Sequence, residues 1–258
     1  MGYELMKDIL EIKELGKSYS IKGTDKVLLE DINFSIKKGE FICILGPSGC
    51  GKTTLLEMLA GFQQPDRGGV FQEGRRVSKP EASRIMVFQD FNQLFPWKTV
   101  RENIMFPLGT LKKSLTDAKK KEMAETALEL VNLKGYGGYY PHQLSGGMKQ
   151  RAAMARALAI EPEILLMDEP FGSLDAQTRS QLQKLLVDIW RDTGVTIVFV
   201  THDIQEAVLL SDRIVIMEDN PGRIKAIVEN PIPKPRDIME TCCRALYEDI
   251  LKELDKSE

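Results

Sequence analysis

Apolar and polar positions alternate with period two near the start of the chain. Leu10 and Ile12 stand between charges, and Ile32, Phe34 and Ile36 stand between polar residues before the turn Lys37-Lys38-Gly39. That pattern predicts half-buried strands. A second strand-rich stretch, 68–89, ends in Arg84-Ile85-Met86-Val87-Phe88-Gln89. Together the two stretches predict a small antiparallel sheet beside the core. The period then lengthens. Met123, Ala127, Leu130 and Val131 share one face of a helix that Thr116 can cap, with Lys119-Lys120-Lys121 on its solvated side. Ser145 can cap a second helix over 146–160, stopped by Pro162. Short unbroken apolar runs, Phe41-Ile42-Cys43-Ile44-Leu45, Ile164-Leu165-Leu166-Met167 and Thr196-Ile197-Val198-Phe199-Val200, predict buried parallel strands. Between the last two, Leu182, Leu185, Leu186, Ile189 and Trp190 give a helix ending near Gly194, and Asp203 with Glu206 offers a capping box. A proline-rich stretch, 221–235, leads to a helix whose expected apolar face is Ile238, Cys242, Leu246 and Ile250.

Four strand ends carry chemistry. After the first apolar run comes Gly46-Pro47-Ser48-Gly49-Cys50-Gly51-Lys52-Thr53-Thr54 and then a helix closed by Gly61. Strand, glycine loop and helix in that order form a phosphate cradle: glycines turn the backbone N–H groups inward, and the helix N-terminus adds its dipole. Lys52 is placed to reach the β- and γ-phosphates and Thr53 to ligate Mg²⁺. The second run delivers Asp168 and Glu169 to a strand's carboxyl edge, where open α/β sheets bind ligands. Asp168 suits the metal and Glu169 suits the attacking water. His202 follows the third run, and Gln89 ends a further strand, where its amide can reach Mg²⁺ or water. A second glycine-rich helix start, Leu144-Ser145-Gly146-Gly147-Met148, lies far along the chain. One triphosphate has no use for two such sites in one subunit, so a head-to-tail dimer is the economical arrangement.

These motifs, in this order, resemble the ATP-binding subunits of ABC transporters over essentially the whole chain. The resemblance implies an α/β P-loop NTPase with a mostly parallel core sheet, an antiparallel β subdomain and a helical insertion. Its ATPase domain spans 8–235, with a signature subdomain over 90–160, and 236–258 form a C-terminal amphipathic helix. It implies ATP stacked on Tyr19 and held, with Mg²⁺, by residues 46–54. Thr53, Gln89 and Asp168 become the metal ligands, and Glu169, His202 and Gln89 the catalytic set. Ser145, Gly146, Gly147 and Met148 act in trans, and Asp175 belongs to the dimer loop. Met148 stands where the commonest family form has Gln. The segments 93–100, 144–151, 169–179 and 231–236 are similar to nitrate, sulfonate and taurine importers. The implied partners are a second copy, a membrane-spanning permease and, through it, a solute-binding protein, at the cytoplasmic face of the cell membrane. Phe91, Leu94, Phe95 and Trp97 are the expected permease contacts.

Composition narrows the rivals. The chain has 258 residues, with 35 basic and 38 acidic side chains, which argues against a basic nucleic-acid face. A soluble ABC ATPase acting on nucleic acid or ribosomes remains the alternative. No run is long enough to span a bilayer, and no signal-peptide core or myristoylation motif opens the chain, so a cytosolic protein held at the membrane by a partner is expected. The four cysteines show no zinc spacing. Cys50, inside the phosphate loop, is expected to be a thiol whose alkylation blocks nucleotide.

Overall fold

The computed structural model describes residues 7–21, 24–89 and 93–255, with no account of the side chains of residues 21, 24 and 25. Phe91 therefore lies outside the described residues. The chain divides into two compact units, Met1–Glu81 with Val195–Glu258, and Ala82–Gly194.

In the first unit, β1 (Asp8–Ile21) and β2 (Thr24–Lys37) form a long antiparallel hairpin. β4 (Arg67–Gln72) and β5 (Arg75–Arg76) extend it in the order β2-β1-β4-β5. Alternation places Leu10, Ile12, Leu15, Ile32 and Ile36 inside. β3 (Phe41–Leu45) is buried at every position, as its unbroken apolar run requires. It lies parallel to β8 (Thr196–Thr201) and β9 (Arg213–Glu218), and β10 (Arg223–Glu229) closes antiparallel on β9. Glu40, buried just before β3, accepts from the Lys37 N–H (2.7 Å) and from Arg213 Nη2 (3.1 Å), which ties the hairpin's end to β9. α1 (Lys52–Ala60), α6 (Ile204–Leu210) and α7 (Thr241–Asp255) complete the unit.

α7 is the C-terminal helix, but its buried face is not the expected one. Cys243 and Ile250 are buried and Leu246 and Tyr247 half-buried, whereas Cys242 is exposed. Starting one residue later gives the i, i+3, i+4, i+7 stripe that a helix presents to its support. The Asp203–Glu206 box is also routed differently. Asp203 caps α6, and its own N–H donates to Thr201 Oγ1 (3.0 Å), whose hydroxyl donates to Glu206 (2.6 Å).

In the second unit, β6 (Arg84–Val87) pairs in parallel with β7 (Ile164–Asp168), from Arg84↔Ile164 to Val87↔Met167. The expectation that residues 84–89 end the antiparallel sheet is thus corrected: β6 is a core strand. The physical reason is visible in its residues. Arg84, Met86 and Val87 are all buried, so β6 has no wet face to present. The helices are α2 (Val100–Leu111), α3 (Asp117–Leu130), α4 (Gly146–Leu158) and α5 (Ala176–Thr193). Each N-terminus is fixed by a side chain, Thr99, Thr116, Ser145 and Asp175 in turn.

Candidate functional site

In the first unit the phosphate loop and His202 leave the sheet side by side. Leu45 is paired with Thr201 across β3 and β8, and the next residues are Gly46 and His202. Pro47, Ser48, Gly49, Thr53 and His202 are exposed, and Thr54 is half-buried. Gly51 takes φ +99°, and a Cβ there would stand 2.6 Å from Leu29 Cδ2. Only glycine satisfies both the turn and this close approach. Immediately after it α1 begins, so the positive end of the helix dipole opens on the loop. Lys52 is buried, and its Nζ donates to the Gly46 and Pro47 carbonyls, 2.8 Å each. The ammonium is thereby stationed inside the loop, where an anion would exchange with two carbonyl acceptors.

Cys50 departs from expectation. It is 1 % exposed, and burial pushes its thiol pKa up, only partly opposed by the Lys52 charge. A thiol is reactive as thiolate and when accessible, and Cys50 is neither. The expectation of a readily alkylated loop thiol is replaced by that of a packing residue.

Tyr19 stands on β1 and is 37 % exposed. Its hydroxyl donates to Gln63 Oε1 (2.7 Å), Gln63 Nε2 donates to Glu57 (2.5 Å), and the Lys17 ammonium lies 5.6 Å from the ring centroid. The tyrosine is oriented through its oxygen while part of the ring faces solvent. Gln63 and Glu57 were not legible as positioning residues, because neither belongs to a motif.

The second unit gathers the acidic half. β7 carries Asp168 to its end, where the carboxylate-bearing residue is buried, and Glu169 follows, half-buried. Glu169 has φ +39°, a left-handed conformation that a side-chain-bearing residue rarely adopts. A Cβ placed on Gly172 would stand 3.6 Å from Gln89 Nε2 and 3.9 Å from Glu169 Oε2. The amide after β6 and the carboxylate after β7 therefore both border the same glycine. Within this unit the Gln89 amide and the Asp168 carboxylate offer hard oxygen donors, of the kind Mg²⁺ takes rather than a soft ion.

The glycine-rich start of α4 exposes Ser145 and Gly146, half-buries Met148 and buries Gly147. Ser145 Oγ accepts from the Met148 N–H at 3.3 Å. A Cβ on Gly147 would lie 2.5 Å from Thr178 Cγ2, so α4 and the start of α5 touch through this glycine. Asp175 caps α5 by accepting from the Thr178 N–H (3.0 Å), and its hydrogen bonds with Thr178, the side chain foremost, hold its carboxyl below the usual range.

The apolar residues of the insertion separate into two kinds. Leu94 is buried and packs internally, so it is withdrawn from the expected contact set. Trp97 is 70 % and Phe106 49 % exposed, and Phe95 touches both, tilted against Trp97 (centroids 5.5 Å apart) and edge-on to Phe106 (4.9 Å). Two residues not singled out from sequence hold this patch. Asn103, fully buried, accepts from the Phe95 N–H (2.7 Å) and donates to the Phe95, Lys98 and Thr99 carbonyls. Arg156 donates to the Gln93 carbonyl (2.7 Å) and lies over the Phe95 ring.

Residues 29–172 match the family profile described as ABC transporter. The chain belongs to the ABC transporter family. It is the ATP-binding ATPase of that system, with the α/β P-loop fold expected for it. Among relatives of this ABC protein, the aliphatic sulfonates import ATP-binding protein SsuB of Bacillus cereus is 43% identical over 246 residues, covering 95% of this chain and 96% of that one. The nitrate import ATP-binding protein NrtD of Synechococcus elongatus is 44% identical over 224 residues, covering 86% and 81%. Among solved structures, the ATP-binding cassette MJ0796, a dimer in a post-hydrolysis state bound to ADP and Pi, matches with TM-score 0.76 and 31% identity, over 87% of this chain and 100% of that one.

Proposed function

We propose that this ABC ATPase powers import of a small anionic solute, of the sulfonate or nitrate kind, by closing two copies around ATP beneath a permease. The left-handed Glu169 directly after β7, bordering Gly172 as Gln89 does, supports the hydrolytic part of this reading. The import direction and the solute class rest on the two import relatives.

ATP stacks its adenine on Tyr19 and lays its phosphates in the loop 46–54. The loop N–H groups and the α1 N-terminus bind the anion, and Lys52 turns from the Gly46 and Pro47 carbonyls to the β- and γ-phosphates. Thr53, Gln89 and Asp168 would hold Mg²⁺, which would neutralise phosphate charge. His202 orients the γ-phosphate and its attacking water. Glu169 accepts the water's proton as the oxygen bonds to the γ-phosphorus and ADP leaves. Ser145, Gly146, Gly147 and Met148 of a second copy enclose the phosphates, with Asp175 beside the junction.

No helix among the described residues is long and apolar enough to cross a membrane, and the chain fits a peripheral, membrane-associated subunit. We place it at the cytoplasmic face, joined to the permease through Phe95, Trp97 and Phe106, with the solute-binding protein reached only through the permease. The test is reconstitution of the chain with its permease and solute-binding partner in proteoliposomes. Sulfonates or nitrate should stimulate ATP hydrolysis. Hydrolysis that responds to none of them, but responds to nucleic acid or ribosomes, would overturn the reading.

A further inference from the structure

The turn that leads into α7 brings together three ligand-type side chains that the ATPase reaction does not use. The oxygen and sulfur atoms of Glu240, Cys242 and Cys243 all lie within 4.8 Å of one another, and Cys242 Sγ is 3.7 Å from Glu240 Oε2. Around a tetrahedral zinc ion, with Zn–S of about 2.3 Å and Zn–O of about 2.0–2.2 Å, neighbouring ligand atoms stand about 3.5–3.8 Å apart. The Cys242–Glu240 separation already has that value. The remaining closure asks for side-chain rotation only, because Glu240 and Cys242 are exposed and free of core packing, while Cys243 is buried and fixes one corner.

We propose that Glu240, Cys242 and Cys243 form a binding site for a soft divalent cation, Zn²⁺ in the first instance, with water as the fourth ligand. Donor chemistry selects the ion. Two thiolates exclude Mg²⁺, so the site does not compete for the metal of the phosphate loop. Charge also balances. Two thiolates and one carboxylate bring three negative charges, the ion brings two positive ones, and Arg236, electrostatically coupled to both thiols, supplies the third.

Arg236 also anchors the segment that leads into the site. Its guanidinium donates to the Val208 (2.9 Å), Ser211 (2.6 Å) and Ile232 (2.7 Å) carbonyls, grasping the C-terminal end of α6. The backbone around the site is itself closed, with the Glu240 N–H on the Asp237 carbonyl and the Arg244 N–H on the Glu240 carbonyl, 3.0 Å each. A cation at Glu240, Cys242 and Cys243 would close the first turn of α7, four residues after the arginine that grasps α6. This inference does not depend on which solute is transported or on the proposed roles of the catalytic residues.

The test titrates the whole protein, kept reduced by a phosphine and supplied with excess Mg²⁺, with Cd²⁺ and with Zn²⁺. Ultraviolet thiolate-to-cadmium charge transfer and calorimetry are the readouts. One equivalent per chain is expected, with a band from two thiolates. Glu240→Gln should weaken Zn²⁺ binding at least about 10-fold, and Cys242→Ser should weaken it further and reduce the band to one thiolate. Both positions are exposed, so both variants should fold, which unchanged circular dichroism would verify. Absence of the band, or Zn²⁺ affinity in Cys242→Ser equal to that of wild type, would overturn the proposal.

Discussion

Glu169 and Lys52 are close in role and opposite in environment. Glu169 is half-buried on a left-handed backbone, whereas Lys52 is buried and bonded to two carbonyls of its own loop. Their removal should therefore fail in different ways. Glu169→Gln should still bind ATP and lose hydrolysis by about 10²–10⁴-fold, as expected for loss of a general base. Single-turnover hydrolysis with a fluorescent-nucleotide binding control measures both. Lys52→Ala should instead fail at nucleotide binding, in the same binding assay. Tyr19 tests the adenine platform. Aromatic stacking is worth about 0.5–1.5 kcal/mol, so Tyr19→Ala should raise the ATP Kd roughly 2–10-fold, while Tyr19→Phe, which keeps the ring, should recover most of that loss. A Tyr19→Phe variant as weak as Tyr19→Ala would show that the Gln63 bond, not the ring, matters.

At the scale of elements, the contact between α4 and α5 has little slack. Gly147→Ala would drive a methyl group into Thr178 Cγ2. Overpacking of this kind costs about 1–3 kcal/mol. A fall in Tm follows, measurable by thermal unfolding, and Thr178→Ser, which deletes the obstructing methyl group, should restore most of it. Failure of that rescue would place the strain elsewhere. The aromatic patch belongs to this scale too. Phe95 and Trp97 changed together to Ser should weaken co-purification with the permease and leave ATP binding intact, because Asn103 and Arg156 hold the backbone of that loop independently. The helix caps were legible: Thr116 and Ser145 announce themselves as N-caps before apolar periodicity, and both cap. The partner of β6 was not, because residues 84–87 read equally well as the next strand of a meander. Parallel pairing with β7 joins segments that are remote in sequence.

For the whole molecule, the buried Lys234 links stability to pH. Its ammonium contacts Asp212 at 2.5 Å and lies over the Phe41 ring, and burial lowers its pKa to about 8 despite the Asp212 charge. Between pH 8 and the ordinary lysine range the unfolded chain binds more protons than the folded one, so stability from this group rises with pH through that window. Below pH 8 both forms are charged and the burial penalty is fully present. Denaturant unfolding at pH 7 and pH 9.5 should show wild type gaining relative to Lys234→Met by up to roughly 2 kcal/mol. An equal response in both proteins would remove Lys234 as the cause. By itself the sequence determined the strand–loop–helix of the phosphate cradle, the acidic end of β7 and the second glycine-rich helix start, since each is a local pattern in which backbone freedom, periodicity and side-chain chemistry lie within a few residues. Tertiary structure alone decided which strand β6 joins, that Cys50 is sealed and that α7 buries Cys243 rather than Cys242. It also decided that Gln89 and Glu169 border the same glycine and that Glu240 stands beside two thiols. These depend on burial and on contacts between chain segments, and no local pattern encodes the distance between them.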